Sequence, residues 1–243
     1  MRALSAQSRA EVTMTVRRGE TLLLTIGIPV ILLVFFTKVS VTKTPTTSRI
    51  DFLAPGIIAL CVMSTSMVAL SISTAFERTY GVLRRLYVTP LGRPRLIGAK
   101  VIGVIVVEVI QVVIIAVVAG LLGWNPAGGA SATLTAAALL LLATIGFAGI
   151  GLFFAGWLRA EVDLAAINGL YLVLLLLSGF IIPTTSFPSW LQRLVIVTPS
   201  GALAQGLHDT LGAGVAPSVN VWISLGVWAI IAPAIAARTF SFD

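Results

Sequence analysis

FERTYGVLRRLYVTPLGRPRLIGAK, Phe76 to Lys100, carries six of the sixteen basic residues of the chain and lies between two long apolar runs. Its flanks read as membrane, so this segment has to live in water and meet something there. The composition agrees. Of 243 residues, 58% are hydrophobic and 10% charged, with mean hydropathy +1.05, whereas a soluble domain carries roughly 25% charged residues. The net charge of +7 does not point to nucleic acid, because the basic residues flank apolar runs and form no patch on a soluble fold; orientation in a bilayer accounts for them. One cysteine, Cys61, and one histidine, His208, leave no disulfide framework and no clustered metal ligands.

Outward from this segment, six spans fit: about 21–39, 53–75, 100–122, 132–157, 164–182 and 219–237. Each has the ~17–25 residues that cross ~30 Å of hydrocarbon at 1.5 Å per residue. Helix is the expected state, since a lone spanning segment must satisfy its own backbone groups. The fold class is an all-α polytopic membrane protein, one transmembrane domain over 1–243. Residues 1–20, with Arg2, Arg9, Arg17 and Arg18, read as a helix on the inner membrane surface or as a frayed tail. No A-x-A-like site follows 22–36, so 21–39 reads as a true span rather than a leader.

With the N-terminus inside, twelve basic residues fall in inner segments, and Lys38, Lys43, Arg49 and Arg193 in outer ones. That bias places both termini in the cytoplasm. Over 77–87, Tyr80, Leu83 and Tyr87 fall at i, i+3 and i+7, the spacing of one helical face. Arg78, Arg84 and Arg85 surround it, and Leu86 lies beside it. Thr89-Pro90 ends the helix, and Gly92, Pro94 and Gly98 shape the turn back toward Lys100. An aromatic face in a basic surround suits an intracellular protein partner; the alternative is arginines that only anchor topology beside anionic lipid. On the second inner turn, Leu158 to Asp163, Arg159 and Glu161 face the same partner, and Asp163 serves the helix start.

Within the spans, Glu108 and Gln111 share a helix face at i and i+3. A carboxylate there costs several kcal/mol and needs a partner. Two readings stand: a residue lining a cavity or coupling contact, or a paired polar group at a helix interface. Asn168 is either a substrate contact or glue between helices. Gly146, Gly149, Gly151 and Gly156 permit close helix approach. Beyond the fifth span, Pro183, Pro188, Trp190 and Pro199 punctuate an outer segment with two apolar runs broken at Thr198-Pro199. The runs are too short to cross, so short helices that dip into the outer leaflet or lie on it are expected. His208-Asp209 reads as a solvated pair on that side.

There is no G-x-x-x-x-G-K-[ST], because the spacing of Gly92, Gly98 and Lys100 and the following Val101 fail it. G-x-S-x-G, H-E-x-x-H and C-x-x-C are also absent. The chain is therefore not expected to be an enzyme or to power transport by its own nucleotide chemistry. A gradient-driven secondary transporter should show an inverted repeat and more intramembrane charge; a membrane assembly factor without transport is the third class.

Three stretches resemble the ABC-2 type transporter permeases, in the group of daunorubicin-resistance-like exporters of actinobacteria. They are ERTYGVLRRLYVTPLGRPRLIGAK (Glu77 to Lys100), LRAEVD (Leu158 to Asp163) and LSGFIIPTTSFPSWLQRLVIVTPSGALAQGL (Leu177 to Leu207). The resemblance implies a bacterial plasma-membrane exporter in which two permease chains, identical or paralogous, pair above two separate cytoplasmic ABC ATPase subunits. ATP and Mg would sit in those subunits, with no cofactor bound by this chain. It also implies that 77–91 is the coupling helix, 1–20 the interface helix and 188–211 the outer helices of the exit side. The sequence departs at one point: Val82-Leu83-Arg84 follow Gly81 where the family has an acid. Family substrates include drugs, lipids and polysaccharides; short outer loops and apolar spans favour an amphiphilic cargo here.

Overall fold

A computed structural model describes residues 19–39, 48–83, 92–180 and 184–239. Among them there is no strand, and five helices are long and apolar enough to cross a membrane. They are α2 (Arg49–Thr79), α3 (Gly92–Leu121, apolar from Leu96), α4 (Gly129–Trp157), α5 (Ala160–Ser178) and α8 (Val219–Thr239). The chain is an all-α, multi-pass membrane protein. Preceding these is α1 (Gly19–Lys38), whose bounds take in the last two residues of the expected surface helix; residues 1–18 lie outside the described part.

The bundle is organised around α2. In its apolar window 83% of residues are buried, against 22% in α5 and in α8. Phe52 to Met63 are buried without a break, so α2 is covered on all sides, while α3, α5 and α8 turn Val113, Val117, Leu176 and Ile230 outward. A helix apolar all round with an exposed apolar face belongs in lipid. Small residues set the inter-helix distances. A Cβ on Gly149 would stand 2.4 Å from Pro233 N on α8, and one on Gly151 would stand 2.5 Å from Met67 O on α2. Only glycine lets these backbones approach so closely.

Three helix ends and one internal turn differ from the sequence reading. The second span runs to Thr79, so Glu77 and Arg78 end a membrane helix instead of beginning a separate one. The third begins at Gly92: Pro94 falls in its first turn, where a missing N–H costs nothing. Within α2, Ser64–Ala69 form a π turn, beside which Ser64 Oγ donates to Cys61 O (2.9 Å) and Ser66 Oγ to Val62 O (2.5 Å). Such back-bonding hydroxyls compete for the carbonyls of the preceding turn, and π turns of this kind cluster at functional sites. Finally, α5 ends at Ser178, four residues before the expected limit. Gly179 takes a left-handed φ of 78°, and Phe180 lies fully buried with its carbonyl 2.0 Å from where a Gly56 Cβ would sit.

Outside the spans, α6 (Ser189–Val195) and α7 (Pro199–Leu207) flank the Thr198-Pro199 break. Thr198 Oγ1 accepts from Gly201 N at 3.1 Å, and Pro199 takes the first helical position, a strong start signal. All of α7 except Gln205 is buried, among α2, α4, α5 and α8. Only α6 keeps an exposed side, with Trp190 and Leu194 on it. Thus α7 is part of the bundle rather than a helix lying on a surface.

Candidate functional site

At one end of the bundle the turns α2–α3 and α4–α5 are tied together. Lys100 Nζ lies 2.6 Å from Glu77 Oε2. The Arg78 guanidinium donates to Leu158 O. About two turns deeper, Ser71 Oγ stands 2.8 Å from both Asp163 Oδ1 and Gly151 O, joining α2, α4 and α5. Asp163 therefore does more than start a helix. Past Thr79 the chain turns at Tyr80 and at Gly81, whose φ of 72° favours glycine. This turn corrects one expectation: Tyr80 and Leu83 do not share one continuous helix face. Tyr80 is 72% exposed, with its ring stacked on Phe76 at 6.1 Å, whereas Leu83 is buried beside Leu70, Leu96 and Val104. Arg159 and Glu161 are exposed at the start of α5. Arg84, Leu86, Tyr87, Thr89 and Pro90 lie outside the described residues, as does Pro183.

A groove of about 740 Å³ opens between α1, α2 and α5. Along α2 it runs from Leu60 to Tyr80, about 30 Å at 1.5 Å per residue. Its lining is mixed. Ile28, Pro29, Val68, Ile72 and Phe76 are apolar; Thr25, Ser64, Ser73, Glu77, Asn168 and Tyr171 are polar. Asn168 Nδ2 donates to Leu164 O at 2.7 Å, which leaves its side-chain oxygen uncommitted among the described residues. The groove ends against Tyr80 and Val82, so its wall is continuous with the turn at Gly81.

Glu108 and Gln111 do not line this groove; they stand behind it. Gln111 Oε1 accepts from Thr65 Oγ1 (2.9 Å), and its Nε2 donates to Thr25 O (3.1 Å). Glu108 Oε2 is 2.6 Å from Thr144 Oγ1 on α4. Both are buried, and Oε1 of Glu108 has no hydrogen-bond partner among the described residues. Both side chains are thus bonded across helix contacts. Magnitudes show how tight the balance is: an acid at mid-helix costs about 2.5–3.5 kcal/mol by insertion scales, while an interhelical hydrogen bond returns only about 0.6. Sequence reading missed the partners Thr65, Ser66, Ser71 and Thr144. The available signal was the hydroxyl run Ser64-Thr65-Ser66 inside an apolar span, since buried hydroxyls need partners.

At the opposite end, Phe52 on α2 meets the π turn His208–Gly212 that continues α7. The His208 ring stacks on Phe52 at 4.3 Å, nearly coplanar, and its Nε2 is 2.9 Å from Phe52 O. Burial pushes its pKa down to about 4, partly offset by the bond to the Phe52 carbonyl. His208 is a packed ring rather than one of a solvated pair. Burial likewise raises the pKa of Asp209. A second cavity of about 640 Å³ lies here, lined by Asp51, Arg193, Gln205, His208 and Asp209 among others.

With this geometry in hand, two comparisons bear on identity. Residues 2–210 match the family model described as ABC-2 type transporter. Among curated proteins, ABC transporter G family member 20 of Dictyostelium discoideum is 25% identical over 182 residues, 74% of this chain. The matched part is 25% of that relative, so the chain spans about a quarter of the relative's length. The family match covers the bundle from before α1 into the His208 turn, and the chain belongs to the ABC-2 type transporter family as a membrane-spanning permease component.

Proposed function

We propose that this chain is the permease of an ATP-driven exporter that moves an amphiphilic, drug-like or lipid-like compound out across a bacterial plasma membrane. In this reading α1 is a sixth span, both termini face the cytoplasm, and two chains, identical or paralogous, pair. Two separate ABC ATPase subunits bind beneath them and hold ATP and Mg. They press on the segment 77–91, with Arg159 and Glu161 on the adjoining turn. The outer pair α6 and α7 closes the exit side.

One observation carries the reading: the mixed wall of the groove runs without interruption into the exposed turn at Tyr80–Gly81. A displacement of that turn is transmitted straight along α2, the helix that forms most of the wall. Ion pairing and hydrogen bonding of Glu77 and Arg78 to the next helix and the next turn stiffen the end that receives the push. The alternating apolar and hydroxyl-bearing lining suits a molecule with both characters. Co-expression of the chain with an ABC ATPase subunit, followed by pull-down and an ATP hydrolysis assay in proteoliposomes, tests this. Stable co-purification with cargo-stimulated hydrolysis is expected. A chain that purifies alone and moves cargo on an ion gradient would mean a secondary transporter instead.

A further inference from the structure

The π turn of α2 has two faces. Ser64, Val68 and Ala69 line the groove, while Thr65, Ser66 and Met67 are buried behind it. From behind it is held by α4, whose Gly151 admits the Met67 carbonyl so closely that no side chain fits between them. Gln111 holds Thr65, and the same amide reaches Thr25 O on α1, another groove residue. One side chain of α3 therefore fixes two walls of the groove relative to each other.

Counting hydrogens assigns the part of Glu108. Thr144 has one hydrogen and two acceptors, Glu108 Oε2 at 2.6 Å and Leu140 O at 2.9 Å. Ser66, on the buried face of the π turn, spends its hydrogen on Val62 O. A carboxylate would thus leave Oε1 buried with no donor. With a proton on Oε2, the acid donates to Thr144 Oγ1, which keeps its own hydrogen for Leu140 O, and the unpartnered Oε1 is an uncharged carbonyl oxygen.

We propose that Glu108, as a neutral acid bonded to Thr144, and Gln111, bonded to Thr65 and Thr25, are positioning residues that set the shape of the groove and hence which cargo it accepts. This rests on the reading of the groove as the cargo wall. Neither residue touches the cargo: Gln111 acts through the π turn, and Glu108 through α4, which backs that turn at Met67.

Two measurements on the full chain in lipid nanodiscs test it. The first is an infrared difference spectrum, wild type minus Glu108→Gln, at neutral pH. A protonated-acid carbonyl band in the wild type that the variant lacks is expected; carboxylate bands alone in that difference overturn the proposal. No cargo is needed, so this result is independent of the transport reading. The second compares dissociation constants for two lipophilic fluorescent cations of different shape, ethidium and rhodamine 6G. Glu108→Gln, which keeps a donor and an acceptor, should leave the ratio of the two constants near wild type. Glu108→Leu and Gln111→Leu should change that ratio about fivefold, the range spanned by one or two lost hydrogen bonds. A merely structural role would lower the bound fraction for both dyes alike and leave the ratio unmoved, which overturns the proposal. Should the leucine variants fail to fold, Thr65→Val removes only the α2 side of the Gln111 bond and carries the same expectation. A wild type that binds neither dye removes the groove reading itself.

Discussion

Lys100 Nζ sits 2.6 Å from Glu77 Oε2, so the first turns of α3 are pinned to the last turn of α2 across the basic segment between them. Lys100 is 3% exposed at its side chain and Glu77 25%, which makes the two partners unequal. Removing the carboxylate takes an ion-pair partner from a buried ammonium, whereas removing the lysine leaves an acid that water can reach.

Glu77→Gln should therefore be the more damaging single change, costing about 1–3 kcal/mol once partial exposure is allowed for, with Lys100→Met milder and the double variant recovering part of the loss. Thermal inactivation of the detergent-purified chain measures this. Equal, additive losses would mean that the pair contributes no coupling.

Glycine contacts on α4 give a second test. Gly151→Ala brings a Cβ to 2.5 Å from the Met67 carbonyl, whereas Gly226→Ala on α8 meets nothing within 4 Å. The first should lower the folded yield and destabilise by about 1–3 kcal/mol through overpacking. The second should be neutral or slightly stabilising, from the better helix propensity of alanine. Size-exclusion profiles and melting curves of the two variants suffice.

Much of this architecture is legible in the sequence, because the membrane admits few alternatives: an apolar run of twenty residues must satisfy its own backbone and so becomes a helix. Helix ends are less legible. The amphipathic spacing of Tyr80 and Leu83 suggests one helical face, yet Gly81 adopts a left-handed conformation that breaks it, and local periodicity carries no signal for that. The π turn at Ser64–Ala69 is also invisible to period counting, although its hydroxyls are not. His208 reads as solvated because its neighbour is an aspartate; the stacking partner, Phe52, lies 156 residues away. Tertiary pairing of this kind decides burial, and it is what a single sequence conceals.

That pairing has a pH consequence. The folded pKa of His208 is about 4 against an ordinary 6.5, so between these values the unfolded chain binds more protons than the folded one. Stability from this group is fully present above about pH 6.5 and is lost as the pH falls toward 4, by up to about 3 kcal/mol. Half-inactivation temperatures taken from pH 7.5 down to about 4.5 should fall more steeply in the wild type than in His208→Asn. Parallel slopes would mean that the ring is not shielded from water.

In the groove, Asn168→Leu should weaken binding of a cationic amphiphile more than Leu170→Ala, because only the former side chain lines that wall. A loss of about three- to tenfold in affinity corresponds to one polar contact, and fluorescence titration of the nanodisc-embedded chain with ethidium reads it.

Tyr80 offers the most direct test of the central claim that a push at the inner turn is carried along α2 to the cargo wall. It is exposed, it stacks on Phe76, and it ends the groove, so Tyr80→Ala should leave the bundle folded. The decisive measurement is the number of rhodamine 6G molecules moved per ATP hydrolysed in proteoliposomes containing the chain and its ATPase. Tyr80→Ala should cut that ratio about tenfold or more while hydrolysis continues, about 1.4 kcal/mol or more of lost coupling. An unchanged ratio would contradict the account.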